Sequence, residues 1–201
     1  GQLPPGFVVT LPKVQLPEEV DALAEALELL ELQLDGATLP AEAYRLEPGA
    51  LVLLEPPDRP FELRSLVCIH PETNGSLEGL YVSGGLFTTQ CEAEGFRRIT
   101  YHPDRPDLLS RFRVRIEADR STCPVLLSNG NCVDTGLLAA EPNAAGAAPT
   151  ARHYAVWDDP FPKPSYLFAL VAGRLEEVSD GFVTRSGKSV QLRLHVEPGD
   201  A

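Results

Sequence analysis

The densest run of reactive side chains is residues 89–101, Thr-Gln-Cys-Glu-Ala-Glu-Gly-Phe-Arg-Arg-Ile-Thr-Tyr. Strand-like alternation would send Gln90, Glu92 and Glu94 to one face. Carboxylates beside a carboxamide suit a cationic ligand such as an ammonium group, through charge-assisted hydrogen bonds. The competing reading is a surface strand whose glutamates pair with Arg97 and Arg98. Aromatic residues bracket the run at Tyr81, Phe87, Phe96 and Tyr101.

Other motifs point away from common chemistries. Gly187-Lys188-Ser189 resembles the end of a phosphate-binding loop, but Gly181 sits one residue too far back. The residues after it alternate as a strand, whereas a phosphate loop must open a helix. His70, His102, His153 and His195 are scattered, and no His-Glu-x-x-His pair occurs. No Gly-x-Ser-x-Gly elbow is present. Asn74-Gly75-Ser76 matches the glycosylation triplet and is read as a chance match. Cys68, Cys91, Cys123 and Cys132 lack Cys-x-x-Cys spacing, which argues against structural zinc. They read as free thiols of a reducing compartment, with a Cys123–Cys132 disulfide as the competing arrangement.

The elements that must hold these residues read as strands. Segment 17–34 starts with helical propensity. It ends with Leu30, Leu32 and Leu34 alternating against polar neighbours, and Asp35-Gly36 signals a turn. Residues 51–54 and 61–69 are short strand candidates. Phe112, Val114, Ile116 and Ala118 alternate with arginines and Glu117, the pattern of a half-buried strand. Val125–Leu127 and Cys132-Val133 flank Ser-Asn-Gly-Asn, a hairpin-like signal. Tyr166–Ala172 is apolar throughout and fits a strand buried on both faces. Phe182–Thr184 and Val190–Val196 flank Arg-Ser-Gly-Lys, a second hairpin, with Val190, Leu192, Leu194 and Val196 on one side. The one helical hint is a single turn near Pro106–Phe112. Residues 139–151 are small and of low complexity, read as a loop within the domain. Together these argue an all-β fold, an antiparallel β-sandwich or saddle with little helix.

Composition sets the frame. The chain has 201 residues, 43% hydrophobic and 23% charged, ordinary globular usage. Its 16 Gly and 19 Pro favour short elements and turns. A formal charge of −12 makes nucleic acid and anionic membranes poor partners. Acidic residues crowd 17–62, and arginines crowd 95–120. No stretch reaches the roughly 18 apolar residues of a membrane span. No secretory signal is evident. The chain starts with Gly and has no Met, which reads as a processed product or a piece of a longer polypeptide. The expected location is cytoplasmic, with an organelle as the alternative.

A longer set of co-linear blocks carries a resemblance. Gly-Leu-Tyr (79–81), the 89–101 run and Asp-Arg-Pro-Asp (104–107) resemble the bacterial-type alanyl aminopeptidase N family, a branch of the gluzincin zinc metallopeptidases. The likeness continues through His-Pro-Glu-Thr-Asn (70–74), Leu-Leu-Ser-Asn-Gly-Asn (126–131), Trp157 and Asp-Pro-Phe-Pro-Lys-Pro (159–164). It ends with Tyr-Leu-Phe-Ala-Leu-Val-Ala-Gly (166–173) and Thr-Arg-Ser-Gly (184–187). It covers about residue 27 to the C-terminus, whereas residues 1–26 form an irregular segment unlike the family's opening strands.

The resemblance implies an N-terminal β-domain over 27–201, ahead of a thermolysin-like catalytic domain that this sequence lacks. The family's Gly-Ala-Met-Glu-Asn and His-Glu-x-x-His motifs are absent. Hence the chain supplies no catalytic residue and no metal ligand. Zinc belongs to the intact family enzyme, and the chain alone is expected to be inactive. The resemblance places Glu92 at the substrate's α-amino group and Gln90 in the first side-chain pocket. The implied partners are the catalytic domain of the same enzyme and a peptide N-terminus. The implied reaction of the whole is release of N-terminal amino acids from peptides. The alternative is a stand-alone β-sandwich binding module without catalysis.

Overall fold

Alternating apolar and polar residues, cut every few positions by Gly, Pro, Asn or Asp, yield short extended segments rather than helices. The computed structural model describes residues 28–47, 50–139 and 151–200. The segments at 1–26 and 140–150, including the helical start of 17–34 and nearly all of the small-residue loop, lie outside them. In chain order the strands are β1 (Glu28–Leu34), β2 (Ala37–Thr38), β3 (Tyr44–Glu47), β4 (Ala50–Leu53), β5 (Leu63–Cys68), β6 (Gly79–Ser83) and β7 (Leu86–Gln90). They continue as β8 (Ser110–Asp119), β9 (Val125–Ser128), β10 (Asn131–Leu137), β11 (Arg152–Lys163), β12 (Leu170–Gly173), β13 (Glu176–Val183) and β14 (Ser189–Val196). Helical structure among the described residues is confined to three-residue 3-10 turns. The fold is all-β and antiparallel: β1–β2, β1–β5, β3–β4, β9–β12, β10–β11 and β13–β14 all pair that way. The sheet orders are β2-β1-β5, β10-β11-β8, β6-β7-β12-β9, β13-β14 and β3-β4.

The chain forms two compact units. The first takes in described residues up to Val82, Thr88–Phe112 and Asp159–Ala169. Here β1 and β2 close around Asp35-Gly36, both with positive φ, 49° and 81°. This is the conformation a two-residue hairpin turn demands, and the reason Gly follows Asp. Asp35 Oδ1 accepts the Glu62 backbone N–H at 2.8 Å, and Oδ2 accepts from Arg59 at 2.6 Å. The alternation of Leu30, Leu32 and Leu34 breaks, however. The β1–β5 register shifts between Leu29 and Glu31, which are opposed by consecutive residues Val67 and Leu66. Leu30 is the extra residue of a β-bulge and turns outward, 56% exposed, while Leu32 is 1% exposed. Asn74 resolves the glycosylation triplet: its amide donates to the Glu78 and Leu80 carbonyls, and its Oδ1 accepts from Ser76. The Asn74 side chain is thus committed to an internal turn.

The second unit takes in Ser83–Phe87, Arg113–Asp158 and residues from Leu170 onward. Its core is Ile116, Cys123, Leu126, Ala155 and Ala172, with Phe87, Val114, Trp157 and Leu170 packed against it. Trp157 Nε1 donates to the Leu126 carbonyl at 3.1 Å. Strand β8 follows its predicted alternation: Ile116 is buried while Arg113 and Arg115 are exposed. The β13–β14 hairpin also forms, in the register Val178↔Leu194, Asp180↔Leu192, Phe182↔Val190. Its apolar face stays open, with Val178, Phe182, Leu192 and Leu194 all more than 40% exposed.

Two local expectations fail. Strands β9 and β10 flank the Asn-Gly turn but do not pair with each other. β9 joins β12 and β10 joins β11, so Gly130, at φ 88°, redirects the chain between sheets. The Tyr166–Ala172 run is not one buried strand. A 3-10 turn at Ser165–Leu167 follows Pro164 and leaves Leu167 49% exposed before β12 begins. Leu167 N–H bonds the Pro164 carbonyl and Phe168 N–H that of Ser165. Near Pro106–Phe112 a single turn closes, with the Leu108 N–H on the Arg105 carbonyl at 3.2 Å, and it does not develop into a helix. Arg105 and Asp107 pair side chain to side chain there, and β8 begins at Ser110.

Candidate functional site

Strand β7 ends at Gln90, and the chain then enters a tight loop instead of continuing as strand. The Gly95 N–H reaches back to the Cys91 carbonyl at 2.9 Å, closing the loop over four residues. A 3-10 turn over Phe96–Arg98 comes next, with the Arg98 N–H on the Gly95 carbonyl at 3.1 Å. Gly95 is required by space: a Cβ there would stand 2.3 Å from the Gln90 carbonyl oxygen and 3.1 Å from Cys91 Cα. The alternation expected for Gln90, Glu92 and Glu94 therefore does not operate. The loop, not a strand face, sets their directions.

The three candidate side chains part company. Gln90 is exposed, and its Nε2 donates to the Glu92 backbone carbonyl at 3.0 Å. Glu94 is bound by Arg97, whose Nη1 lies 3.1 Å from Glu94 Oε2. The carboxylate of Glu92 is exposed and makes no ion pair or hydrogen bond among the described residues. The Glu92–Ala93 peptide is cis. Hence the expected glutamate–arginine pairing holds for Glu94 and Arg97, but Arg98 turns to Glu78 at 2.8 Å. Cys91, between Gln90 and Glu92, points inward at 2% exposure. Burial, with the nearby negative charge of Asp104 adding to it, pushes its thiol up to about 12, so it stays protonated.

Beneath the loop lies a buried polar anchor with an aromatic lining. Asp104, 1% exposed at its side chain, accepts on Oδ2 from the Arg97 backbone N–H at 3.0 Å and from Arg97 Nε at 3.1 Å. Its Oδ1 accepts from the Ser165 hydroxyl. Arg97 Nη2 donates to the Asp104 carbonyl at 3.3 Å. Phe96 stands edge-on to His102, Phe112 and Phe168, with ring centroids 5.0–5.7 Å apart. Lys163 Nζ lies 4.4 Å over the Phe112 ring and 2.5 Å from Asp159 Oδ2. Sequence reasoning missed Asp104 and Ser165. No local pattern announces them, because the Ser165–Asp104 contact spans 61 residues of chain.

Among the described residues no group of three His, Cys, Asp or Glu is arranged to hold a metal ion. No helix among the described residues is long and apolar enough to cross a membrane.

Comparison with known proteins places the chain in a family. Residues 63–167 match the model of the Peptidase M1 N-terminal domain. Aminopeptidase N of Caulobacter vibrioides is 53% identical over 177 residues, 88% of this chain and 19% of that protein. Aminopeptidase N of Escherichia coli is 48% identical over 176 residues, with the same shares. The chain thus spans about a fifth of the length of these curated relatives. Among solved structures, aminopeptidase A of Legionella pneumophila, in complex with aspartic acid, superposes with a TM-score of 0.75 at 34% identity, covering 87% of this chain and 19% of that one. The M1 zinc metallopeptidase of Deinococcus radiodurans shares the fold at 20% identity, TM-score 0.66, over 87% of this chain and 38% of its own. The matched span includes the whole Gln90–Asp104 loop with its buried anchor, and the chain belongs to the Peptidase M1 N-terminal domain family.

Proposed function

We propose that the chain is the N-terminal domain of a zinc-dependent aminopeptidase and supplies the part of its site that grips the substrate's free amino terminus. In this reading Glu92 receives the α-ammonium and Gln90 lines the pocket for the first side chain. The observation that carries it is the contrast within the loop. Glu94 is ion-paired with Arg97, while Glu92 presents an exposed, uncommitted carboxylate two residues from Gln90. An exopeptidase must measure one residue from a chain end, and a fixed carboxylate does so by binding the terminal charge. Zinc, its ligands and the general base belong to the remainder of the polypeptide, the catalytic domain that is this domain's partner. When bound, zinc would polarise the scissile carbonyl and activate water. The four free cysteines are consistent with a cytoplasmic setting.

The test is Glu92→Gln in the complete enzyme. Losing a charge-assisted hydrogen bond of about 1.5–3 kcal/mol corresponds to a rise in KM for an alanyl amide of roughly 10- to 100-fold. An unchanged KM would remove Glu92 from the amine site.

A further inference from the structure

We propose that Ser165 and Asp104 are positioning residues for Glu92, acting through Arg97 and Glu94. The inference rests on the assignment of Glu92 to the substrate's amine. Three observations carry it. First, the guanidinium of Arg97 uses separate atoms for separate tasks. Nε and Nη2 face inward to the Asp104 carboxylate and carbonyl, and Nη1 faces outward to Glu94. A planar fork held at the inner two points has its third direction set, which an ammonium on a flexible stem would not. Second, Asp104 has both carboxylate oxygens engaged: Oδ2 by Arg97, Oδ1 by the Ser165 hydroxyl. Ser165 lies 61 residues further along the chain, on its own 3-10 turn, and is 2% exposed. Third, the loop is pinned on both sides of Glu92. The Gln90 amide holds the Glu92 carbonyl, and the Glu94 side chain is tied to Arg97.

A buried ion pair is a weak reason for stability, because desolvation offsets its attraction. Apolar residues could fill the same space. The directed chain Ser165–Asp104–Arg97–Glu94 instead ends at the one stretch of loop whose carboxylate must meet a ligand. That makes orientation its use.

The experiment is a double-mutant cycle in the complete enzyme with an alanyl amide. Ser165→Ala is expected to raise KM about three- to tenfold, the scale of one buried hydrogen bond, with kcat within about twofold. In a Glu92→Gln background the same change should have no further effect on KM, because both act on one contact. A merely structural role gives the opposite split: less folded enzyme lowers apparent kcat and leaves KM unmoved. Glu94→Ala, at a 64% exposed side chain, removes the outer end of the chain without touching the core and should reproduce the KM rise and its non-additivity. It decides the matter if Ser165→Ala does not fold. An unmoved KM in these variants, or effects that add to Glu92→Gln, overturns the positioning role while leaving Glu92 in place. An unmoved KM in Glu92→Gln itself overturns the amine site, and with it this inference.

Discussion

At the residue scale, Gly95 and Cys91 in the 89–101 run show how the packing around a position decides what its side chain can be and do. Gly95 has ordinary backbone angles, φ −82° and ψ −18°, so it is not there for conformational freedom. It is there because a methyl would strike the Gln90 carbonyl. Gly95→Ala must push the loop away from the end of β7, at a cost of about 1–3 kcal/mol as overpacking usually demands. Urea unfolding of the variant measures it, and an unchanged midpoint would show that the loop yields freely. Cys91 and Cys132 make a second contrast. Burial keeps the Cys91 thiol protonated, whereas Cys132 is exposed on β10. Iodoacetamide on the native protein should therefore label Cys132 quickly and Cys91 only after unfolding, as mass spectrometry of timed samples would reveal. The Cys123–Cys132 disulfide is not formed in this structure, where both are free thiols.

At the element scale, strands are legible where a period of two is unbroken and illegible where one residue interrupts it. The arginine-alternating β8 and the β13–β14 hairpin follow their patterns, because each residue's neighbour in sequence already dictates its face. Leu30 does not, because a bulge in the β1–β5 pairing is a property of two strands, not of one. The Asn-Gly turn after β9 reads as a hairpin, yet the same turn serves strands that enter different sheets. The Asp35-Gly36 turn is local enough to test directly. Gly36 sits at φ 81° with open space around it, so Gly36→Ala meets no clash and reports backbone strain alone. The expected loss is about 1–2 kcal/mol by chemical denaturation. A loss much beyond that would point to contacts not visible at this turn.

At the scale of the whole molecule, stability should fall in two steps on acidification. His102 is buried against Phe96 and Phe112, and that burial, only partly opposed by Asp104, holds its imidazole below the ordinary value of 6.5. The unfolded chain takes up a proton there that the folded chain refuses. The contribution is thus complete above about pH 6.5 and declines as the pH drops below it. Asp35 and Asp159 are held below the usual 3.8, Asp35 chiefly by the Glu62 N–H and Asp159 chiefly by Lys163. Their contribution is present above about pH 3.8 and is lost only as the pH falls through their lower folded values. Denaturation midpoints should therefore decline between pH 7.5 and 5, then again below about 4. His102→Gln should flatten the first step and spare the second. A wild-type midpoint constant from pH 7.5 to 5 would refute the first step.

The sequence by itself determined the all-β class, most strand positions, the family and the candidate pair Gln90 and Glu92. These depend on local period, turn chemistry and co-linear blocks, all written along one dimension. Tertiary structure alone decided which carboxylate is spent and which is open. Glu92 and Glu94 are the same residue type two positions apart. Only the path of the chain brings Arg97 onto Glu94, Asp104 under Arg97, and Ser165 from 61 residues away onto Asp104. A buried charge needs its partners from wherever the fold can deliver them, and that requirement leaves no period in the sequence.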